Sequence, residues 1–184
     1  MGIGDGGFDL VCQEKGLNIY SLDPNANAIE RLNKITGKAR VGYSSNMPFE
    51  DSFFDCVVMS EVIEHLDNSE IAASLDEIER VLKANGRFIG STPADENLLA
   101  SVCVCPNCGT HFHKYGHLQS FDKTRLTKLL QGRFVRVSVA RKYLADPRLL
   151  NKKGKMARLV KTALIKLGVS GEGENFIWEA SRRE

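Results

Sequence analysis

At 184 residues, with 42% hydrophobic and 26% charged residues, the chain suits a single globular domain with a sizeable core. A formal net charge of +2 and the lack of any apolar run near the roughly 20 residues of a membrane-spanning helix exclude a disordered chain and a helical membrane protein. Five cysteines, an odd count with no secretory signal before the first glycines, point to a reducing, cytoplasmic setting in which Cys12 and Cys56 are buried thiols.

The chain starts with Met1-Gly2-Ile3-Gly4-Asp5-Gly6-Gly7-Phe8. Glycines this dense permit positive φ and remove the Cβ atoms that keep a ligand off the backbone, so the loop suits contact with a nucleotide-like cofactor. Phe8, Leu10, Val11 and Cys12 then predict a helix ending at Gly16, and residues 20–22 a buried strand. At the end of that strand the carboxylate of Asp23 is placed to accept hydrogen bonds from both hydroxyls of a ribose. Two spacings overlap in the loop. Gly2, Gly4 and Gly7 fit the G-x-G-x-x-G of dinucleotide oxidoreductases, whereas Gly2, Gly4 and Gly6 fit the G-x-G-x-G of enzymes that use S-adenosylmethionine. Either loop normally follows a buried strand of about five apolar residues, yet Met1 stands where that strand would end. The reading is a chain that begins after its first strand, with a rearranged sheet as the alternative.

Pro24 opens a second helix, whose Ala26, Ile29, Leu32 and Ile35 recur on one face until Gly37. Residues 39–43 predict a short strand, 44–55 a turn with aromatic plugs, and 56–60 an apolar strand buried on both faces. Asp67 with Glu70 makes a capping box, followed by a helical face of Ile71, Leu75, Ile78, Val81 and Leu82 that ends at Asn85-Gly86. Residues 87–91 give the next strand. Strands alternate with amphipathic helices, as in a parallel α/β sheet covered on both faces.

Pro48-Phe49-Glu50-Asp51 with Phe54-Asp55, then Ser60-Glu61-Val62-Ile63-Glu64-His65-Leu66, Arg80-Val81-Leu82-Lys83, Gly86-Arg87-Phe88 and Ser91-Thr92-Pro93 follow in an order that resembles the type-11 group of class I methyltransferases, over residues 2–93. The resemblance implies a Rossmann-like α/β sandwich, mostly parallel with an antiparallel last strand, here missing its N-terminal strand. It also implies S-adenosylmethionine as methyl donor. Gly2, Gly4 and Gly6 would then line the methionine part, Asp23 the ribose, Ser45, Asn46 and Met47 the adenine, and Ser60 with Glu61 the methionine and acceptor side. The chain departs from the family in lacking the acid of the first strand and the aspartate near the adenine amine, where Tyr43, Ser44 and Ser45 stand. A hydroxyl or backbone contact would then read the adenine. A methyl on a sulfonium is already activated, so positioning supplies about 7–11 kcal/mol of barrier reduction, and a hydroxyl acceptor also calls for a base. His65 and His117 are the candidates, with a structural cap of the strand-to-helix junction as the other reading of His65.

Cys105-Pro106-Asn107-Cys108-Gly109 places two thiols at C-x2-C spacing, and His113 and His117 complete a four-ligand set suited to structural zinc. Cys103 and His111 are spare ligands; the alternative is free thiols with histidines lining an acceptor pocket. Some type-11 methyltransferases carry a similar segment, which implies a shared role, and its position makes 101–120 a lid over the acceptor.

A helix over 122–130 with Leu126, Leu129 and Leu130 inward is followed by a strand at 134–139, and 176–180 resembles the family's antiparallel last strand. Between them lies an insertion, 143–175. Residues 141–166 hold nine basic residues against Asp146 as the one acid. Met156, Leu159, Val160, Ala163, Leu164 and Leu167 form one apolar stripe amid Lys155, Arg158, Lys161 and Lys166. Such a helix packs its stripe on its own domain, or lies through 155–167 on an anionic membrane surface or an acidic partner. Nucleic acid is not expected, because aromatic residues are not interleaved with the charges.

The sequence therefore reads as one domain, 1–184, that transfers a methyl group from S-adenosylmethionine to a small-molecule, sugar or lipid-linked hydroxyl, in the cytoplasm or peripherally at the inner membrane. The alternatives are a non-catalytic methyltransferase-like binding module or truncated fragment, and, third, a dinucleotide oxidoreductase.

Overall fold

The computed structural model describes residues 1–144, 151–169, 171 and 173–184, so part of the basic insertion at 143–175 lies outside the described residues. In chain order come α1 (Gly7–Glu14), β1 (Ser21–Asp23), α2 (Ala26–Asn33), β2 (Ala39–Val41) and β3 (Phe54–Ser60). A 3-10 turn at Ile63–His65 leads to α3 (Asn68–Val81), β4 (Leu82–Pro93) and a second 3-10 turn at Leu98–Ser101. The hairpin β5 (Val102–Val104) and β6 (His111–His113) precedes α4 (Lys123–Gln131), β7 (Val135–Lys142), α5 (Lys152–Lys166) and β8 (Asn175–Ser181).

β1 and β2 pair in parallel, with Ser21 opposite Ala39. A separate four-stranded sheet has the order β3-β4-β8-β7, parallel between β3 and β4 and antiparallel on either side of β8. The last strand therefore lies antiparallel between its neighbours, as the resemblance implied. No strand precedes α1 among the described residues. Where one would lie, the Met1 ammonium donates to Val58 O on β3 at 2.7 Å and Gly2 N–H to Leu22 O on β1 at 3.2 Å. Burial pushes that ammonium below its usual range.

Local sequence explains most of the elements. The Asp67 side chain accepts from the Glu70 N–H while the Glu70 carboxylate accepts from the Asp67 N–H, closing the expected capping box. Ile71, Leu75, Ile78 and Val81 then turn one face of α3 into the core against Met59, Phe88 and Trp178. Tyr20, Phe49, Phe53 and Phe54 stack edge to face at the start of β3, which fulfils the reading of 44–55 as a turn carrying aromatic plugs.

Several expectations need correction: α3 stops at Val81, so Leu82 opens β4 and the helix does not run to Asn85-Gly86. α2 is capped by Asn25, whose side chain accepts from the Ala28 N–H, rather than opened by Pro24, and Ile35 falls beyond it, exposed. On α1 the inward positions are Asp9, which accepts from the Ser21 hydroxyl, and Cys12, whereas Phe8 and Val11 face outward. β3 is the edge of its sheet, so Val57 and Met59 are buried but Cys56 and Val58 only half-buried. α5 buries none of its residues: Met156, Leu159 and Leu167 are 62%, 64% and 77% exposed, so the stripe is not packed on the domain.

Candidate active site

The glycine loop wraps the end of β1 as its composition requires. Gly2, Gly4 and Gly6 all have positive φ, at 73°, 53° and 83°. Gly2 also has no room for a side chain, since a Cβ there would lie 2.4 Å from Val62 Cγ2 and 3.6 Å from Ser60 O. The loop is thereby seated against the end of β3, while no atom lies within 4 Å of the corresponding position at Gly4, leaving space for a ligand. Asp23, at the end of β1, accepts from the Ile3 N–H at 3.0 Å and the Asn25 N–H at 2.9 Å. A carboxylate has about four acceptor positions, so two bonds leave capacity for a diol.

Ser45, Asn46 and Met47 lie in the turn after β2, where the two earlier residues are half-buried and exposed. Met47 is turned into the core, 5% exposed, and its backbone is spent on Glu77 Oε2 at 2.6 Å and on Arg80 at 3.1 Å. Its amide is therefore not free to read an adenine. A concavity of about 450 Å³, lined by Arg40, Met47, Phe49, Phe53 and Arg80, opens at the start of β3, the opposite end from Ser60.

Ser60 and Glu61 stand where β3 and β4 end and β8 begins. The Ser91 hydroxyl donates to Glu61 Oε1 at 2.6 Å, which leaves its oxygen to accept from Ser60 at 2.8 Å. Asn175 Nδ2 reaches both Glu61 oxygens at 3.1 Å. Glu61 itself sits at φ 53°, a left-handed backbone conformation found where surrounding contacts impose it.

Beyond Glu61 the 3-10 turn carries Glu64 and His65 toward the hairpin. Glu64 is 1% exposed; its Oε2 accepts from Thr92 Oγ1 at 3.0 Å, and its Oε1 is buried without a partner. Burial, reinforced by the charge of Glu61 and opposed by hydrogen bonds and by His117, pushes this carboxyl up to about 7. The Glu64 carbonyl accepts from the N–H groups of Leu118 and Gln119, anchoring the chain after the hairpin. His65 Nδ1 donates to Gly116 O at 3.1 Å, and its ring meets that of His117 edge to face, centroids 4.8 Å apart. His117 Nδ1 lies 2.5 Å from Glu96 Oε2, and His113 Nε2 lies 3.6 Å from Glu96 Oε1. The two sequence-predicted bases, His65 and His117, are thus brought together.

The proposed four-ligand zinc set is not. Cys105 and Cys108 occupy the turn of the β5–β6 hairpin, where Cys108 Sγ donates to Thr110 Oγ1 at 3.2 Å. Hydrogen bonds that the Thr110 hydroxyl and backbone of the turn can offer the thiolate hold the Cys108 thiol below its usual range. His113 pairs with Val102 at the other, open end of the hairpin. Among the described residues, His65, His113 and His117 group with Glu64 or Glu96 rather than with either thiol. Glu64, Thr92, Glu96, Ser91 and Asn175 are site residues that the sequence reading missed. The Glu61-x-x-Glu64-His65 spacing, which puts a second acid beside the histidine, was the signal available for one of them.

Residues 1–90 match the methyltransferase-domain family of type 11. Over 75 residues the chain is 37% identical to the Escherichia coli K12 protein YafE, a stretch covering 40% of this chain and 34% of YafE, so it spans about a third of that curated relative. A S-adenosylmethionine-dependent methyltransferase from Methanosarcina mazei superposes with a TM-score of 0.70 at 18% identity, over 98% of this chain and 89% of that one. One from Archaeoglobus fulgidus gives 0.69 at 17%, over 98% and 83%. The Burkholderia thailandensis 1,6-didemethyltoxoflavin-N1-methyltransferase, solved with 1,6-didemethyltoxoflavin and S-adenosylhomocysteine, gives 0.65 at 16%, over 100% and 69%. At such identities the likeness is one of fold, and it is the Rossmann-like fold expected from the sequence.

Proposed function

We propose, from the match of residues 1–90 to the type-11 methyltransferase-domain family, that the chain transfers a methyl group from S-adenosylmethionine to a hydroxyl of a small-molecule, sugar or lipid-linked acceptor. The observation that supports this reading is the meeting of two half-sites at the C-terminal ends of β1 and β3. Gly2 and Asp23 form one, Glu64, His65 and His117 the other, and Ser60 to Val62 join them through the close seat of Gly2. When bound, S-adenosylmethionine supplies a methyl on a sulfonium. Asp23 holds the ribose hydroxyls with its remaining acceptor positions, and Gly4 leaves room for the rest of the ligand. Ser60, Ser91 and Asn175 fix Glu61 at the boundary between donor and acceptor. His65 and His117 each commit one ring N–H to a neighbour and keep the lone pair of the other nitrogen for activation of the acceptor hydroxyl. In this reading the hairpin serves as the lid of the acceptor end.

The test is transfer of label from methyl-labelled S-adenosylmethionine to sugar, phenolic and lipid-linked alcohols. Label in a hydroxyl product supports the reading. Binding of S-adenosylhomocysteine with no labelled product from any of them points instead to a non-catalytic binding module. That second reading is favoured by one observation, the division of the sheet between β1 and β3.

α5 suggests where such an acceptor is met. No helix among the described residues is long and apolar enough to cross a membrane. The exposed Met156, Leu159, Val160 and Leu167 lie amid Lys155, Arg158 and Lys166, which suits the surface of an anionic bilayer. The protein is expected to sediment with anionic vesicles and not with neutral ones, and Leu159→Glu to abolish the effect. Sedimentation independent of lipid would remove the membrane contact.

A further inference from the structure

Building on the methyl-transfer reading, we propose that Glu64, His65 and His117 bind one divalent transition-metal ion, which presents the acceptor hydroxyl as an oxyanion. One ligand atom from each of the three lies within 4.8 Å of the other two. The positions of the ring protons favour this group over its neighbour. A backbone carbonyl only accepts, so His65 Nδ1, bonded to Gly116 O, carries its proton and leaves a lone pair on Nε2. The Glu96 carboxylate likewise holds the proton of His117 on Nδ1 and frees Nε2. Metal-binding imidazoles are oriented in this way, by a carbonyl or carboxylate on the second nitrogen. Glu64 supplies the third ligand through Oε1, a buried carboxylate oxygen that has no partner within the protein. Such an atom is costly unless something binds it.

The adjoining group of Glu96, His113 and His117 also holds a buried atom without a partner, His113 Nε2, but differs in where its ring protons sit. His113 Nδ1 accepts from the backbone N–H of His117 at 3.1 Å and of Tyr115 at 3.4 Å, so its proton sits on Nε2, facing Glu96. The ring nitrogens turned toward Glu96 therefore carry protons, not lone pairs.

Two imidazoles and one carboxylate suit a first-row divalent ion and leave coordination positions open. A hydroxyl bound at one of them is acidified and gives its proton to water. The oxygen pair forms the bond to the methyl carbon as the carbon–sulfur bond breaks with its electrons going to sulfur. Alkoxide and sulfonium thus become ether and neutral thioether, and the ion is unchanged.

The test is titration of the full chain with Co2+, followed by visible absorption and calorimetry. One ion per chain is expected. Glu64→Gln, His65→Ala and His117→Ala are each expected to lose that binding while circular dichroism stays native. Glu96→Gln is expected to weaken it by about 10–100-fold, through His117. His111→Ala and the double variant Cys105→Ser/Cys108→Ser retain it. No saturable Co2+ binding by the folded wild type overturns the proposal, as does binding that survives His65→Ala and His117→Ala but is lost in the serine variant. S-adenosylhomocysteine is titrated separately. Ion binding without it supports this site and removes the methyl-transfer reading, whereas nucleoside binding without the ion does the reverse.

Discussion

Replacing His117 by alanine is expected to lower methyl transfer to a hydroxyl acceptor by about 10²–10⁴-fold, the range for a group that activates the attacking atom. The affinity for S-adenosylhomocysteine should be unchanged. His117 lies on the acceptor side, with its Nδ1 locked on Glu96 at 2.5 Å and its ring against His65, while Asp23 and the glycine loop hold the donor side. Loss of His117 therefore removes an interaction made to the acceptor and none made to the nucleoside. The His117 side chain also ties this segment to Glu96, whereas its backbone N–H, which donates to His113 Nδ1, is kept in the alanine variant. A structural effect would lower thermal stability and nucleoside affinity together with the rate, and Glu96→Gln, which loosens the orientation of His117 without removing its ring, should fall between the wild type and His117→Ala. Transfer by His117→Ala at the wild-type rate would place the activation of the acceptor elsewhere.

Trp178→Ala is the substitution expected to cost most in stability, about 3–5 kcal/mol. Trp178 is fully buried on β8, with Phe88 5.6 Å away in an edge-to-face contact and Gly90 opposite it on β4. The indole occupies the space a side chain at Gly90 would need, since a Cβ there would lie 2.1 Å from Trp178 Cζ2. Gly90→Ala is accordingly destabilising by overpacking, by about 1–3 kcal/mol. The indole N–H has no partner, so Trp178→Phe removes an unsatisfied donor along with some volume and costs less than alanine. Urea denaturation checks the series through the midpoint at constant slope. A loss below about 1 kcal/mol for Trp178→Ala would mean that the centre of the sheet collapses around the cavity.

What the sequence disclosed was local or periodic. The cap of Asp67 on Glu70 spans three residues, and the buried face of α3 repeats at helical spacing, so both were legible. The positive φ of Gly2, Gly4 and Gly6 and the position of Asp23 after its strand were legible for the same reason. Contacts that arise only on folding were not. Glu61 meets Asn175 across 114 positions, Glu64 meets Thr92 across 28, and His117 meets Glu96 across 21. The Cys/His spacing gave four ligands in one dimension, but a hairpin places its turn and its open end apart, which separates Cys105 and Cys108 from His113. Apolar periodicity in α5 disclosed a stripe without disclosing what covers it, and in α1 it concealed that Asp9 turns inward and Phe8 outward.

The most direct measurement is calorimetric titration of S-adenosylhomocysteine into the 184-residue chain, with a nicotinamide dinucleotide as the rival ligand. The account predicts one molecule bound per chain and a loss of about 10–100-fold in Asp23→Ala, because charge-assisted hydrogen bonds are worth roughly 1.5–3 kcal/mol each. Binding of the dinucleotide without S-adenosylhomocysteine, or wild-type affinity retained in Asp23→Ala, would contradict it.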